Sequence, residues 1–597
     1  MKRIGLLFFL IIFSTSLFAQ DYSRKYTAGL KHETSQLSEN DTVLVWIFFK
    51  DKGKSLSKYF EKPTLVVSEA SLERRSHVIK NGSLIDQTDL PVDKDYINKV
   101  ENLGVKIKNI TKWFNGVSCY VLKSDLDKIA ALPFVKKVDF VGRYVNTAKP
   151  TINENYNPPQ NYFLNKLNTT YTYDYGQSLA ELEQIKVPEV HDLGYTGNGI
   201  IICVMDAGVS NLSHEVFDNI KIKARYDFVN HDTVVANQPL PDSGDGSHGT
   251  WTLALIGGFK SGQLIGPAFD ATFLLAKTEN TQSESSIEED NWVAAAEWAD
   301  SLGAQVTSTS LGYRYDFTWG TGYTAQDMNG HTAIITLGAE MAVRKGIVVV
   351  NSAGNDAARG GQNTLDAPAD GDSVIAVGAV NVSGVRASFS SYGPTADGRI
   401  KPDVMADGVY NYIPNATPGD RSDYRNDYYG TSFSCPLVAG VAALLLEAHP
   451  TWTPMEVRDA LRNTASQSSS PDSLYGWGII NALAAINYNP SAVNNDNGNN
   501  SKSNIPENYE LAQNFPNPFN PSTTIKYELK EGGHVTLNVY NLLGNLVATL
   551  VDGNEPAGIY YVTFNSTSQK NPLPSGVYFY RLQVGDFVAT KKMIIMK

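Results

Sequence analysis

Asp206, His248 and Ser432 are three residues whose side chains could share one reaction. A serine hydroxyl is a weak nucleophile at neutral pH and needs a base to take its proton. An imidazole supplies that base, and a carboxylate can hold its tautomer and stabilise it once charged. Each residue also has a plain structural reading. Asp206 closes the apolar run "IIICVMD", where it could cap the turn at Gly208. His248 lies beside a glycine in "DGSHGTWTLALIGG", just ahead of an apolar helix. Ser432 and Ser434 share "GTSFSCP" (430–436), and a hydroxyl before such a run can simply cap a helix.

The elements around these residues alternate. "GIIICVMD" (199–206), "ATFLLAK" (271–277), "GIVVVNSAG" (346–354) and "SVIAVGAV" (373–380) are continuous apolar runs, the pattern of parallel strands covered on both faces. "EEDNWVAAAEWADSLG" and "PLVAGVAALLLEAHP" read as helices. "TPMEVRDALRNTA" opens with Thr453 as N-cap, Pro454 in the first turn and Glu456 completing a capping box. The fold class expected for residues 176–490 is α/β, a doubly wound and mostly parallel sheet. Ligands of such sheets bind beyond the strands' carboxyl ends, where Asp206 falls.

The whole chain has 597 residues, too many for one core. With 42% hydrophobic and 19% charged residues it is globular, and a net charge of −12 argues against a nucleic-acid partner. Residues 1–19 read as a signal peptide: Lys2 and Arg3, an apolar stretch too short to span a bilayer, then Ala19. No later stretch reads as a membrane span. Residues 21–144 alternate strand and helix patterns and form an α+β module. Residues 145–175, rich in Asn, Pro, Thr and Tyr, read as an exposed linker, and 491–508 as an Asn/Ser-rich one. Residues 509–597 carry short alternating runs and read as an all-β sandwich. Three cysteines, Cys119, Cys203 and Cys435, sit in no metal-ligand pattern. A Cys203–Cys435 bridge is compatible with the sequence but nothing in it demands one.

Taken together, "VMDAGV", "SHGT" and "GTSFSCPLVAG", in that order, resemble the subtilisin-like serine proteases, the subtilases or peptidase S8 family. "SLG" (310–312), "NSAGND" (351–356), "SVIAVGAV" and "YGWGIINA" (475–482) extend the resemblance over about 190–485. It implies a secreted endopeptidase that cleaves protein or peptide substrates through an acyl-enzyme. Asp206, His248 and Ser432, not Ser434, would be the catalytic triad. Asn355 and the Ser432 N–H would form the oxyanion hole. Ser310, Leu311 and Gly312 would pair with substrate backbone, and Ser352, Ala353 and Gly354 would wall the primary specificity pocket. No cofactor is required for such chemistry; subtilases often hold structural Ca2+, but no ligand-spaced loop places a site here. Ala207, Trp251, Phe433 and Ser434 depart from the family's usual residues, and the exchange at Ala207 removes one hydroxyl beside Asp206.

The segment "YINKVENLGVKIKNITKWFNGVSCYVL" resembles a subtilase propeptide, which would cover the cleft until cut away. "LAQNFPNPFNPSTTIKYEL" (511–529) and "SGVYFYRLQVGDFVATKKMIIMK" resemble a type IX secretion sorting domain of the Bacteroidetes kind. The partners implied are the chain's own propeptide and the type IX secretion machinery, with release or cell-surface attachment after export. Two alternatives stand beside this reading: a catalytically silent surface binding protein, and a narrow-specificity maturation protease.

Overall fold

The structure, a computed structural model, describes residues 23–54, 56–80, 82–142, 171–238, 246–280, 286–315, 322–490, 508–514, 517, 519, 522–555, 558–566 and 573–595. The signal-peptide segment 1–19, most of both linkers and the segment 239–245 ahead of His248 lie outside the described residues. The chain divides into two compact units, 1–488 and 489–597.

The N-terminal module is an antiparallel sheet of β1 (Thr42–Phe49), β2 (Lys106–Thr111), β3 (Gly116–Leu122) and β4 (Val135–Gly142), in the order β2-β3-β1-β4. Helices α1 (Glu69–Val78) and α2 (Lys94–Glu101) belong to the same module. The period of two along β1 assigns its faces. Val43, Val45 and Ile47 enter the module's own core with Val100 of α2. Leu44 and Trp46 point the other way, toward Ile287 of the following domain.

That domain holds β5 (Ile201–Asp206), β6 (Lys221–Asp227), α3 (Ser247–Gly257), β7 (Thr272–Lys277), α4 (Ser286–Leu302), β8 (Val306–Thr309), α5 (Ile334–Arg344), β9 (Val348–Ser352), β10 (Ile375–Val380), β11 (Val404–Asp407), α6 (Thr431–Ala448) and α7 (Pro454–Asn463). The seven strands form one sheet in the order β11-β10-β9-β8-β5-β7-β6, every pair parallel. Ile202 and Val204 face the core beneath α3 and α6, while Cys203 and Met205 face the core beneath α4 and α5. Both faces are covered, which is why these strands read as unbroken apolar runs. The chain order turns back between β5 and β8, and the crevice at that switch point is where such sheets bind ligands. Helix α6 is apolar and long enough to cross a membrane, yet it is the domain's central helix and is buried there. Strands β6, β8 and β11 escaped the sequence pattern: "KIKARYD" is an edge strand, and "VTST" and "VMAD" are short and partly polar.

The cysteine pairing that the sequence left open is decided, and one linker boundary is corrected. Cys203 lies on one face of the sheet and Cys435 on the helix covering the other, so they do not pair; all three cysteines are free and buried. Residues 171–175, assigned to the linker 145–175, belong to the parallel-sheet domain. Tyr175 is buried, with its hydroxyl 2.7 Å from His191 Nδ1, and Tyr173 meets Phe269 edge-on at 5.3 Å. These tyrosines pack onto a tertiary surface and therefore show no helical or strand period.

The N-terminal module docks on α4 through polar groups. Trp46 Nε1 donates to Asp290 Oδ1 at 2.9 Å, and Ser118 Oγ to Asp290 Oδ2 at 2.6 Å. Glu297 accepts from the backbone N–H groups of Lys112 and Trp113 at 2.8 and 3.0 Å. Arg74 and Arg75 of α1 both reach the buried Asp300, Arg75 at 2.6 Å.

The second unit is two facing sheets. Strands β12 (Glu510–Leu511), β13 (Ser522–Leu529), β14 (Gly533–Asn541), β15 (Leu546–Glu555), β16 (Gly558–Asn565), β17 (Gly576–Val584) and β18 (Phe587–Ile595) pair as β12-β13-β16 and β15-β14-β17-β18. Ile525, Tyr527, Leu537 and Leu582 fill the core between them. The buried Tyr580 hydroxyl donates to Ala512 O and accepts from Asn514 N, both at 2.7 Å. One core residue thus pins the "LAQN" opening of the domain. Strand β15 is an addition to the strands read from sequence.

Candidate active site

Asp206 is the last residue of β5 and is almost wholly buried. Its carboxylate has three donors, as a buried charge requires. His248 Nδ1 lies 2.7 Å from Oδ1, the Ala207 N–H donates to Oδ1 at 2.7 Å, and the Thr252 hydroxyl donates to Oδ2 at 3.0 Å. His248 in the first turn of α3 and Thr252 in the second lie on one face, since 3.6 residues per turn bring i and i+4 together. Gly249 permits the approach: a Cβ there would fall 2.1 Å from Gly208 O. The hydroxyl that Ala207 lacks is therefore supplied from helix α3. The sequence signal was a threonine one turn after the histidine in an otherwise apolar helix.

Ser432 is the second residue of α6, where backbone N–H groups have no partner within the helix. Its hydroxyl donates to Ser310 O at 3.2 Å, and Ser310 Oγ donates to Ser432 O at 2.9 Å. Ser434 is fully buried and returns its hydroxyl to Thr431 O at 3.0 Å, a bond within the helix's own first turn. Of the two serines, the structure turns Ser434 inward. Helices α3 and α6 pack against each other: Trp251 meets Phe433 at 6.3 Å and Tyr428 at 4.3 Å. The departures at 251 and 433 are thus partners in one aromatic cluster beside the site.

Asn355 follows β9 and is exposed. Its Oδ1 accepts from Thr431 N at 2.9 Å and Thr431 Oγ1 at 3.0 Å, which ties the side-chain amide to the first residue of α6. Thr431, unremarked in the sequence, makes that tie. Ser310, Leu311 and Gly312 follow β8, and Ser352, Ala353 and Gly354 end β9; the two strands are neighbours, with Thr309 opposite Asn351. Leu311 O accepts from Asn351 Nδ2 at 3.0 Å. A further residue stands between the two segments: Asp366, which sequence reasoning missed. Burial and the adjacent Asp356 hold its carboxyl well above the usual range. Cys435, one turn into α6, has its thiol pushed up to about 12 by burial and is inert. Among the described residues no group of three or more His, Cys, Asp or Glu side chains could hold a metal ion.

Around the crevice stand a buried carboxylate bonded to an imidazole, a serine at a helix start, and a side-chain amide tied to that helix's first residue. This is the arrangement of a serine hydrolase on a parallel α/β sheet. Residues 197–478 match the subtilase family, residues 44–157 the peptidase S8 propeptide domain of Bacteroidota, and residues 513–596 the secretion system C-terminal sorting domain. Subtilisin NAT of Bacillus subtilis subsp. natto is 36% identical over 318 residues, covering 52% of this chain and 72% of that protein. Subtilisin of Bacillus pumilus is 36% identical over 308 residues, covering 51% of this chain and 97% of that one. Among solved structures, MycP1 with its N-terminal propeptide removed is 25% identical with a TM-score of 0.40, covering 52% of this chain and 97% of that one. The chain belongs to the subtilase family. It is a serine endopeptidase with its own propeptide domain, and its sorting domain directs it to secretion or the cell surface.

Proposed function

We propose that Asp206, His248 and Ser432 hydrolyse peptide bonds of protein or peptide substrates through an acyl-enzyme. With its Nδ1 hydrogen donated to Asp206, His248 keeps the Nε2 lone pair for the Ser432 proton. Ser432 Oγ then attacks the carbonyl carbon. The Asn355 Nδ2 amide and the Ser432 N–H hold the oxyanion that forms. His248 returns its proton to the leaving amine, and the C–N bond breaks. Water, deprotonated by His248, then attacks the ester; the C–O bond breaks and His248 gives the proton to Ser432 Oγ as the acid leaves. Ser310–Gly312 holds the substrate as an added strand. Protein groups and water suffice, so no cofactor enters. The 2.7 Å contact between His248 Nδ1 and Asp206 Oδ1 is the observation that carries this reading.

Maturation follows from the same chemistry: cleavage falls between β4 and the packed residues that begin at Tyr171. The test is mass spectrometry of the chain from residue 20, wild type and Ser432→Ala, with fluorophosphonate labelling. Wild type is expected to lose its N-terminal module and to take the label, and Ser432→Ala to stay whole and unlabelled. A wild type that stays whole and unlabelled would turn the reading toward a silent binding protein.

A further inference from the structure

The stretch Leu365–Ala367 crosses between the two segments expected to flank substrate. Ala367 and Tyr313 exchange backbone hydrogen bonds of 2.9 and 3.2 Å, and Asp366 N donates to Ala353 O at 3.3 Å. This seats the Asp366 side chain between Gly312 and Gly354. A Cβ on Gly312 would fall 2.6 Å from Asp366 Cβ, and one on Gly354 2.2 Å from Asp366 Oδ2. The two positions are glycine because the carboxylate occupies that space.

Asp366 is 6% exposed, and its Oδ1 has no hydrogen-bond partner among the described residues. A buried carboxylate left so is costly. The nearby cations are directed elsewhere. Arg359 Nε donates to Asp356 at 2.5 Å, and Arg314 Nη1 donates to Asn363 Oδ1 and Leu365 O, both at 2.8 Å. Both guanidinium groups also stand over the Tyr315 ring, each 4.5 Å from its centre. The Asp366 carboxyl shares a hydrogen bond with Asp356, and Arg314 and Arg359 act on it by charge alone, so its Oδ1 is left without a donor.

We propose that Asp366 forms the base of the pocket for the side chain preceding the scissile bond and selects a cationic one, lysine or arginine. The inference rests on the protease reading and gives it a substrate class. With no side chain on Gly312 or Gly354, a long side chain reaching in from the crevice would bring its terminal N–H groups to Asp366 Oδ1, which is missing donors. A carboxylate at the base of such a pocket sets specificity in this way in other acyl-transfer proteases. It replaces the apolar preference that small walls alone would allow.

The experiment gives processed wild type and Asp366→Asn two quenched peptides that differ only in arginine or leucine before the scissile bond. Wild type is expected to favour arginine in kcat/KM about tenfold or more, since the leucine peptide leaves the acid unpaired. Asp366→Asn is expected to erase that preference, the arginine-to-leucine ratio of kcat/KM falling about tenfold. The fluorescent amidine p-aminobenzamidine reads the pocket without turnover and is expected to bind wild type saturably and the variant not at all. Asp366→Ser serves if Asp366→Asn is not secreted. A fluorophosphonate-labelled enzyme that prefers leucine, or whose preference survives both variants, overturns the pocket and leaves the protease standing. An unlabelled, inactive protein that still binds the amidine through Asp366 overturns the protease reading and keeps the pocket.

Discussion

Asp206 shows how a hydroxyl missing beside one side chain is supplied from another element. Alanine at 207 leaves the carboxylate one hydroxyl short, and Thr252 fills the place from a different element, 3.0 Å away. The hydroxyl holds Asp206, which holds His248, so Thr252 is a positioning residue. A hydrogen bond to a charged group contributes about 1.5–3 kcal/mol. Thr252→Val is expected to lower kcat about tenfold with KM little changed, and Ala207→Ser on that background to restore much of the loss. Steady-state kinetics of the two variants check this; a Thr252→Val enzyme with wild-type kcat would dismiss the role. Ser432 and Ser434, two positions apart, separate by the same logic. One hydroxyl lies at the crevice, and the other is spent on its own helix.

At the scale of elements, α4 is the platform on which the propeptide module sits, and its carboxylates do the holding. Asp300 meets Arg74 and Arg75, and Asp89 meets Arg75 and Lys345. Burial alone would raise the Asp89 carboxyl, but its hydrogen bond and charge pairing with Arg75, then Lys345, hold it at about 2. A carboxylate held below its ordinary value contributes stability above that ordinary value and loses it as pH falls through the folded one. This network is expected to hold the module from neutral pH to about 4 and to fail between about 4 and about 2. At Glu297 burial raises the carboxyl, and the hydrogen bonds from Thr111, Trp113 and Lys112 of the module act against that rise. Truncating Arg75 strands buried charge, at about 2–5 kcal/mol. In the unprocessed Ser432→Ala chain, Arg75→Ala is expected to expose residues 23–142 to trypsin. Digestion at wild-type rates would show that the network contributes nothing.

For the whole molecule, the two compact units carry separate tasks. The first holds the propeptide module and the catalytic domain; the second matches the sorting domain. Deleting 509–597 is expected to keep the protein inside the producing cell with its peptide hydrolysis intact. Fractionation with a peptidase assay checks this, and unchanged delivery to the medium or cell surface would contradict it. Tyr580 is the internal tie of that unit, its hydroxyl bonded to Ala512 O and Asn514 N.

The amino-acid sequence alone determined the element types, the order of chemistry-bearing residues and the family. Strands covered on both faces must be apolar throughout, so β5, β7, β9 and β10 were legible as runs. The capping box Thr453/Glu456 was legible because it acts within one turn. Local patterns of this kind carry over into structure because their physics is local. Tertiary structure decided what depends on residues remote in the chain meeting. Thr252 reaches Asp206 only because α3 starts against the end of β5. Asp366 reaches Gly312 and Gly354 only because Ala367 pairs with Tyr313. Cys203 and Cys435 are kept apart only because a sheet lies between them, and Tyr173 and Tyr175 leave the linker only because His191 and Phe269 await them. No period or spacing encodes such distances, since they are set by how strands order in a sheet and how helices cover its two faces.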